Sequence, residues 1–164
     1  MSDEQQAQSN RFKAYATLRK VLAEIGWGAE PDEENTSFYV DFGPPHVPVS
    51  DAMAVVAADT ERFLFYVQFG ATAPPERRDE IARFITRANW GLSIGNFEMD
   101  YEDGDMRFKS SVSFQDVELS ETLIRNAILS AMNAVEAYAD ALIAVVTGEK
   151  DAEQAIEEAE SHPG

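Results

Sequence analysis

Cysteine is absent from this sequence of 164 residues, and histidine is nearly so, with only His46 and His162. The first absence excludes disulfides, thiol nucleophiles, thiolate zinc sites and iron–sulfur clusters together. The second excludes chemistry that needs a cluster of imidazoles. A lone histidine still requires a nucleophile or a substrate oriented beside it, and no motif here supplies one. We therefore expect no catalytic residue, no metal site and no cofactor.

Basic residues are scarce, since 13 Lys and Arg stand against 30 Asp and Glu, which gives a formal net charge of −17 at pH 7. That charge repels phosphate groups, so the composition disfavours binding to nucleic acid or to an anionic membrane. Long apolar runs are also missing, because the longest, at 141–146, is far shorter than the ~20 residues that span a bilayer. The start is polar and acidic, without a signal-peptide pattern, and a cytoplasmic location is expected.

The hydrophobic share of the chain is ordinary, at 45%, so a packed core is expected despite the heavy charge. The length is near that of one domain. No long linker and no internal repeat divides it. We expect a single domain over residues 1–164, with an ordered core at about 11–160.

Four amphipathic segments predict helices, at about 5–25, 76–90, 121–147 and 152–159. In the first of them, apolar residues recur at steps of three and four: Phe12, Tyr15, Leu18, Leu22 and Ile25. Ser120 is the predicted N-cap of the third helix, and Gly148 ends it.

Five strands are predicted, from segments at about 36–42, 53–58 and 62–69 and from a hairpin further along the chain. The acidic segment 30–35 is predicted to be a loop. Within 62–69 both faces are largely apolar, with Phe65 on one and Tyr66 on the other. Such a strand lies in the centre of a sheet or has one face covered by a partner, so Phe65 and Tyr66 are candidate partner-binding residues.

The hairpin is predicted around Asp103 and Gly104, a pair favoured in two-residue type I′ turns. The resulting register puts apolar residues opposite each other on one face and opposite charges on the other: Tyr101 with Met106, Met99 with Phe108, Asp100 with Arg107, and Glu98 with Lys109. A calcium-binding loop does not fit this acidic run, because Met99 and Tyr101 would occupy ligand positions.

One stretch of the sequence resembles the YbjN family of bacterial proteins. It runs from Arg87 to Asp100 as RANWGLSIGNFEMD and continues from Asp103 to Phe108 as DGDMRF. The run GEKDAEQAI from Gly148 to Ile156 also resembles the family's ending. The similarity covers roughly residues 11–160. The residues of the resemblance that we expect to be structural are Asn89, Trp90, Gly95, Phe97, Asp100, Gly104 and Arg107.

The resemblance implies a fold like that of the type III secretion chaperones, with an antiparallel sheet packed on helices, and a homodimer. It also implies a regulatory or sensory role with no established chemistry. A similar fold does not by itself confer chaperone function. The expected class is α+β, with a five-stranded antiparallel sheet and the order α-β-β-β-α-β-β-α-α.

Trp90 and Asn89 lie at the end of the second helix, within this stretch. Trp90 is interpreted as a core anchor that closes the helix against the sheet. The alternative is a surface hot spot for a partner, where tryptophan is enriched. Asn89 is expected to cap the helix or to bond nearby backbone.

The same helix carries Arg83 and Arg87, which share a face with Glu76 and Glu80. A salt-bridged, solvated face is the favoured interpretation, in which Asp79 and Glu80 both reach Arg83. The alternative is recognition of an acidic segment or of a second copy of the chain. On that alternative Arg83 and Arg87 join Tyr66 and Phe65 as partner-binding residues.

The function that these features favour is a non-enzymatic protein-binding or regulatory module, chaperone-like, acting as a small acidic cytoplasmic homodimer. Its expected partners are itself and an unidentified protein. Three alternatives stay open: a secretion-type chaperone for a specific client, a purely structural role in a larger assembly, and an enzyme of unrecognised type. The last has little support, because nucleophile elbows, phosphate loops and metal-ligand spacings are missing.

Overall fold

The computed structural model describes residues 3–42 and 48–161, and both histidines lie outside these ranges. The elements, in chain order, are α1 (Asp3–Ile25), β1 (Glu30–Asp32), β2 (Ser37–Asp41), β3 (Val49–Ala57), β4 (Arg62–Phe69), α2 (Arg78–Gly91), β5 (Asn96–Met99), β6 (Met106–Ser113), α3 (Glu121–Thr147) and α4 (Ala152–Ser161).

The described strands form one antiparallel sheet of six, in the order β1-β2-β3-β4-β6-β5. The expectation of five strands is therefore wrong. The additional strand is β1, where Glu30 pairs with Tyr39 and Pro31 with Phe38. Its three residues are all exposed and carry no apolar alternation, which is why the sequence predicts a loop there. The central position expected for β4 is confirmed.

The core lies between one face of the sheet and the helices. From β4 this face presents Phe63, Phe65, Val67 and Phe69, all buried. Helices α1, α2 and α3 each contact strands of the sheet, and α4 packs on α2 and α3. The rings of Phe97 and Phe108 meet edge to face at 4.9 Å in this core, a geometry that aromatic pairs prefer.

Helix α3 is the longest element, and both of its predicted ends are confirmed. The Ser120 hydroxyl accepts a hydrogen bond from the amide of Leu123 at 3.3 Å, and Gly148 ends the helix with φ +77°. The helix is long and apolar enough to cross a membrane by length and composition alone. Its buried face, which includes Ile124, Leu142 and Val145, belongs to the protein core.

The buried stripe of α1 differs from the predicted one at its start. The helix buries Ala14, Leu18 and Val21, and Phe12 is exposed. Phe12 precedes Ala14 by two residues, which is about 200° around a helix. Its side chain therefore faces away from the core.

The hairpin between β5 and β6 exists, but the predicted register is wrong by two residues. Met99 pairs with Met106, Phe97 with Phe108 and Glu98 with Arg107. The loop is longer than a two-residue turn, because the Asp100 amide bonds the Asp105 carbonyl at 2.8 Å. The carboxylates of Asp100 and Asp103 each accept a backbone amide two residues ahead, which stabilises this wider loop. A shift of two residues leaves the side chains that remain in the two strands on their predicted faces, whereas Asp100 and Tyr101 lie in the loop.

Candidate protein-binding surfaces

Trp90 is the most exposed large hydrophobic residue among those that the structure describes, with 94% of its surface accessible. The prediction that it anchors α2 to the sheet is therefore wrong. The buried residues of α2 are Ile81, Phe84, Ile85 and Ala88. Trp90 lies two residues beyond Ala88, about 200° around the helix, and points to solvent.

Arg83, Arg87 and Trp90 follow the i, i+4, i+7 spacing, so they lie along one face of α2. Ile94, just beyond the helix, is also exposed. We call these four residues the α2 surface. A groove runs between this helix and α4, with Ala82 and Ala152 among its lining residues.

Of the ion pairs expected within α2, the structure has that of Arg83 with Glu80. Arg83 reaches Glu80 only at 4.0 Å, and Arg87 pairs with Glu153 of α4 at 3.4 Å. Asp79 instead accepts a hydrogen bond from the Tyr101 hydroxyl, which raises the pKa of Tyr101. Exposed pairs of this kind contribute under about 1 kcal/mol. Both arginines can therefore exchange these contacts for a partner's carboxylates at small cost.

Two neighbouring arginines have structural contacts instead. Arg77 donates from Nε and Nη2 to the carbonyl of Val145 at 2.9 and 2.8 Å, and from Nη2 to that of Lys150. It thereby satisfies carbonyls at the C-terminal end of α3. Arg78 donates to the backbone carbonyls of Tyr101 and Glu102 in the hairpin loop.

Asn89 forms hydrogen bonds with the backbone of β5, the strand at one edge of the sheet. This is the interaction with nearby backbone that the sequence led us to expect. Its Oδ1 accepts from the amide of Phe97 at 2.8 Å, and its Nδ2 donates to the carbonyl of the same residue at 3.0 Å. The side chain thus occupies both main-chain groups that β5 would offer to an added strand there. At the opposite edge, β1 is short, acidic and contains Pro31, which has no amide proton. Both edges disfavour strand addition, which leaves surfaces for partner binding.

The second candidate surface is the sheet face opposite the core, which we call the open sheet face. Its centre is apolar and consists of Tyr39, Met53, Val55, Leu64 and Tyr66. Tyr39 is 44% exposed and Met53 42%. Tyr66 is paired with Met53 on the same face and is itself partly exposed, so a partner can reach it. Phe65 does not, since it is fully buried in the core, and its assignment as a partner-binding residue is wrong.

Charged residues flank this apolar centre with opposite signs on its two sides. The acidic flank, on β1 to β3, consists of Glu30, Asp41 and Asp51. Partial burial raises the pKa of the Tyr39 hydroxyl, and these three carboxylates raise it further. The strand register places them near Tyr39, since Glu30 pairs with Tyr39 across β1 and β2 and Asp41 pairs with Asp51 in the neighbouring row.

The basic flank, on β6, consists of Arg107 and Lys109, which both pair with Glu98 of β5. The guanidinium of Arg107 also stacks 4.6 Å from the ring centre of Tyr66, a cation–π contact. Asp100, the partner predicted for Arg107, instead bonds the backbone of its own loop.

Glu98 is held in its ionised form by these contacts. Its partial burial raises the pKa, but hydrogen bonds from Lys109, Arg107 and Asn96 outweigh that effect and lower the pKa below the ordinary value of 4.5. A carboxylate with a lower pKa in the folded state stabilises the fold fully above its unfolded pKa. The contribution is lost as the pH falls through the folded-state pKa.

Glu98→Gln is therefore expected to lower the free energy of unfolding by about 1 kcal/mol at neutral pH. The difference from wild type should close as the pH falls from the ordinary carboxyl pKa of 4.5 through the lower pKa of Glu98 in the folded state, because Glu98 then becomes neutral too. Urea unfolding of both proteins between pH 7 and pH 3 measures this. A difference that stays constant over the whole range contradicts it.

Across residues 3–42 and 48–161, no group of three or more Asp, Glu or His side chains is placed to hold a metal ion. The predicted site residues do not converge on one place. Arg83 and Arg87 lie on the α2 surface, Tyr66 on the open sheet face, and Phe65 in the core.

Two features of these surfaces were not predicted from the sequence. The exposure of Trp90 follows from the helical spacing of the buried residues of α2, because position 90 lies on the opposite side of the helix from them. The pairing of an acidic with a basic flank depends on the strand order, which puts β6 beside β4. No local pattern in the sequence carries that information.

The fold is α+β, similar to that of the type III secretion chaperones. A solved chain of the ExsC–ExsE complex matches with a TM-score of 0.55 and 15% identity, over 82% of this chain and 93% of that one. A chain of the HopA1–SchA chaperone–effector complex matches with a TM-score of 0.55 and 10% identity, over 81% and 97%. Identities this low establish the shared fold alone.

The particular family follows from the sequence. The model of the YbjN family, described as "Putative bacterial sensory transduction regulator", matches residues 14–144. The chain belongs to this family. The crystal structure of YbjN from E. coli, described as a putative transcription regulator, is similar with a TM-score of 0.56 and 15% identity, over 74% of this chain and 87% of that one. No curated protein sequence matches the chain.

Proposed function

We propose that this chain is a non-enzymatic protein-binding module of a regulatory or chaperone-like kind, acting in the cytoplasm as a homodimer. The whole of residues 1–164 acts as one domain. Its second partner is another protein, which binds the α2 surface. The exposure of Trp90 is the observation that carries this proposal.

Tryptophan is large and usually well buried, so an almost fully exposed one leaves much apolar surface in water. Covering that surface with a partner gains roughly 25 cal/mol per Å². Interface hot spots are enriched in Trp and Arg, and the α2 surface combines Trp90 with Arg83 and Arg87. The arginines are held only by exposed ion pairs, at 4.0 Å and 3.4 Å. The surface therefore offers an apolar anchor with adaptable charges beside it.

The solved neighbours favour a protein as the partner. Both chains of the same fold come from complexes with a second protein, and one of these complexes is named a chaperone–effector complex. A secretion-type chaperone for a specific client is the narrower form of the proposal. An enzyme is the weaker alternative, since neither surface gathers a nucleophile, a base and an oxyanion site.

Trp90→Ala is expected to abolish capture of a stoichiometric partner while leaving the fold intact. Because the side chain is 94% exposed, its removal should change the free energy of unfolding by no more than about 0.5 kcal/mol. Leu129→Ala is the matched control, because Leu129 is also exposed, at 62%, but lies on α3.

The measurements are pull-down from a lysate of the source organism, with the captured band quantified, and urea unfolding of each purified protein. The expected result is capture by wild type and Leu129→Ala and a loss of at least tenfold for Trp90→Ala. Equal capture by all three proteins contradicts the proposed site. A large drop in the stability of Trp90→Ala contradicts the exposed position.

A further inference from the structure

The open sheet face is self-complementary in its pattern of apolar and charged residues. Its apolar centre straddles β3 and β4, with Met53 beside Tyr66 and Val55 beside Leu64. The acidic flank lies on one side of this centre and the basic flank on the other. A surface with opposite charges on its two sides fits a second copy of itself that is turned around.

The position of each residue along the strands makes this fit specific. Asp41, Asp51, Gln68 and Arg107 form one continuous row across β2, β3, β4 and β6. Tyr39, Met53, Tyr66 and Lys109 form the next row. The first row begins with two residues of the acidic flank, Asp41 and Asp51, and ends with Arg107 of the basic flank. The second row begins with Tyr39, which pairs with Glu30 of the acidic flank, and ends with Lys109 of the basic flank.

We propose that two copies of this chain pack through their open sheet faces about a twofold axis parallel to the strands. Such an axis exchanges left and right in each row and keeps the rows aligned. Asp41 of each copy then faces Arg107 of the other, Met53 faces Tyr66, and Val55 faces Leu64. Two sheets packed face to face keep their strands within about 30° of each other, which preserves this alignment near the centre.

A second twofold axis, perpendicular to the strands, could pack the same two faces, but the charges disfavour it. A twofold axis across the strands would put the acidic flank of one copy on the acidic flank of the other. Like charges brought together at an interface oppose association. In a chain of net charge −17, repulsion between copies already opposes association, so the arrangement that pairs opposite charges is favoured.

A second copy fits this face better than an extended segment of another protein. Both edges of the sheet disfavour strand addition, since Asn89 bonds Phe97 at one and Pro31 lies in the other. A segment lying across the face would need basic residues at one end and acidic residues at the other. The open sheet face of this chain already presents both, in the required order.

The assignment rests on the homodimer of the proposed function, and a charge-exchange experiment tests it. Asp41→Lys puts Lys opposite Arg107, and Arg107→Glu puts Glu opposite Asp41. Because a twofold interface contains each contact twice, each variant should raise the dissociation constant by about tenfold or more. An equimolar mixture of the two variants should associate more tightly than either alone, since every such contact in the mixed dimer then joins opposite charges.

Sedimentation velocity between 1 and 200 μM measures the association, with circular dichroism as the check on folding. Glu157→Lys on α4 and Lys13→Glu on α1 are the matched controls. They make the same reversals of charge outside both candidate surfaces and should behave as wild type. Met53→Asp, at the exposed centre, should dissociate the dimer without relying on the ion pairs of Arg107.

Each result decides the assignment. Weaker self-association of Asp41→Lys, Arg107→Glu and Met53→Asp, with recovery on mixing the two charge variants, supports it. A wild-type dimer that none of these variants weakens, or no recovery on mixing, overturns the assignment but leaves the homodimer in place. A wild-type monomer at every concentration overturns both. In that last case the test with Trp90→Ala still decides the protein-binding role.

Discussion

Gly104→Val is expected to lower the free energy of unfolding by about 3 kcal/mol. Gly104 has φ +86°, a conformation in which a β-branched side chain is strained. Its carbonyl also accepts a hydrogen bond from the amide of Ala73 at 2.8 Å. A Cβ atom at position 104 would overlap the carbonyl oxygen of Ala73. The substitution therefore strains the loop and displaces the segment that contacts it.

Gly91→Ala is the matched control, because φ at Gly91 is not positive and a Cβ there would make only an ordinary contact, at 4.0 Å, with the Glu160 carboxylate. As the last residue of α2, it should tolerate alanine with a change of no more than about 0.5 kcal/mol. Urea midpoints of the two variants and the wild type measure the difference. A Gly104→Val protein with the wild-type midpoint contradicts the role of this loop.

The helices and the central strand were predictable because their residues repeat with clear periods. The alternation in 62–69 predicts a strand with Phe65 on one face and Tyr66 on the other, and the structure has both there. The stripe of α3, with Ser120 and Gly148 at its ends, is as clear. Local sequence patterns suffice to predict a helix or strand when one of its faces is buried.

The register of the hairpin could not be predicted from local sequence patterns. Asp103 and Gly104 predict a two-residue turn, but the side chains of Asp100 and Asp103 bond backbone amides within the loop and widen it. Tyr101, which the shorter turn would pair with Met106, bonds Asp79 of α2 instead. The loop is therefore set by its own aspartate side chains together with a contact to α2. The sequence around the turn does not reveal the contact to α2.

The candidate surfaces were only partly predictable, for the same reason. Arg83 and Arg87 are identifiable as a cationic face of one helix. Their neighbour Glu153 comes from α4, 66 residues beyond Arg87. The open sheet face needs the order of all six strands before its two flanks can be recognised. An element's own face can be predicted from its sequence, whereas a surface built from several elements requires the topology.

Asn89→Ala is expected to lower the free energy of unfolding by about 3 kcal/mol. The amide and the carbonyl of Phe97, a residue that is almost fully buried, each lose a hydrogen-bond partner. The carbonyl keeps only a long hydrogen bond from Asn96 Nδ2, at 3.5 Å. A buried main-chain group left unpaired costs about 1–3 kcal/mol. The link between the end of α2 and the edge strand β5 is lost at the same time.

Asn89→Asp separates the two bonds, because a carboxylate accepts from the Phe97 amide but cannot donate to the Phe97 carbonyl. Its loss at neutral pH should be about half that of Asn89→Ala. Asn133→Ala, an exposed position on α3, controls for the removal of an asparagine from a helix. Urea unfolding gives the stabilities, and hydrogen exchange reports the Phe97 amide, which should exchange faster in Asn89→Ala and remain slow in Asn89→Asp. Wild-type stability and slow exchange in Asn89→Ala would show that the sheet edge is closed by something other than this side chain.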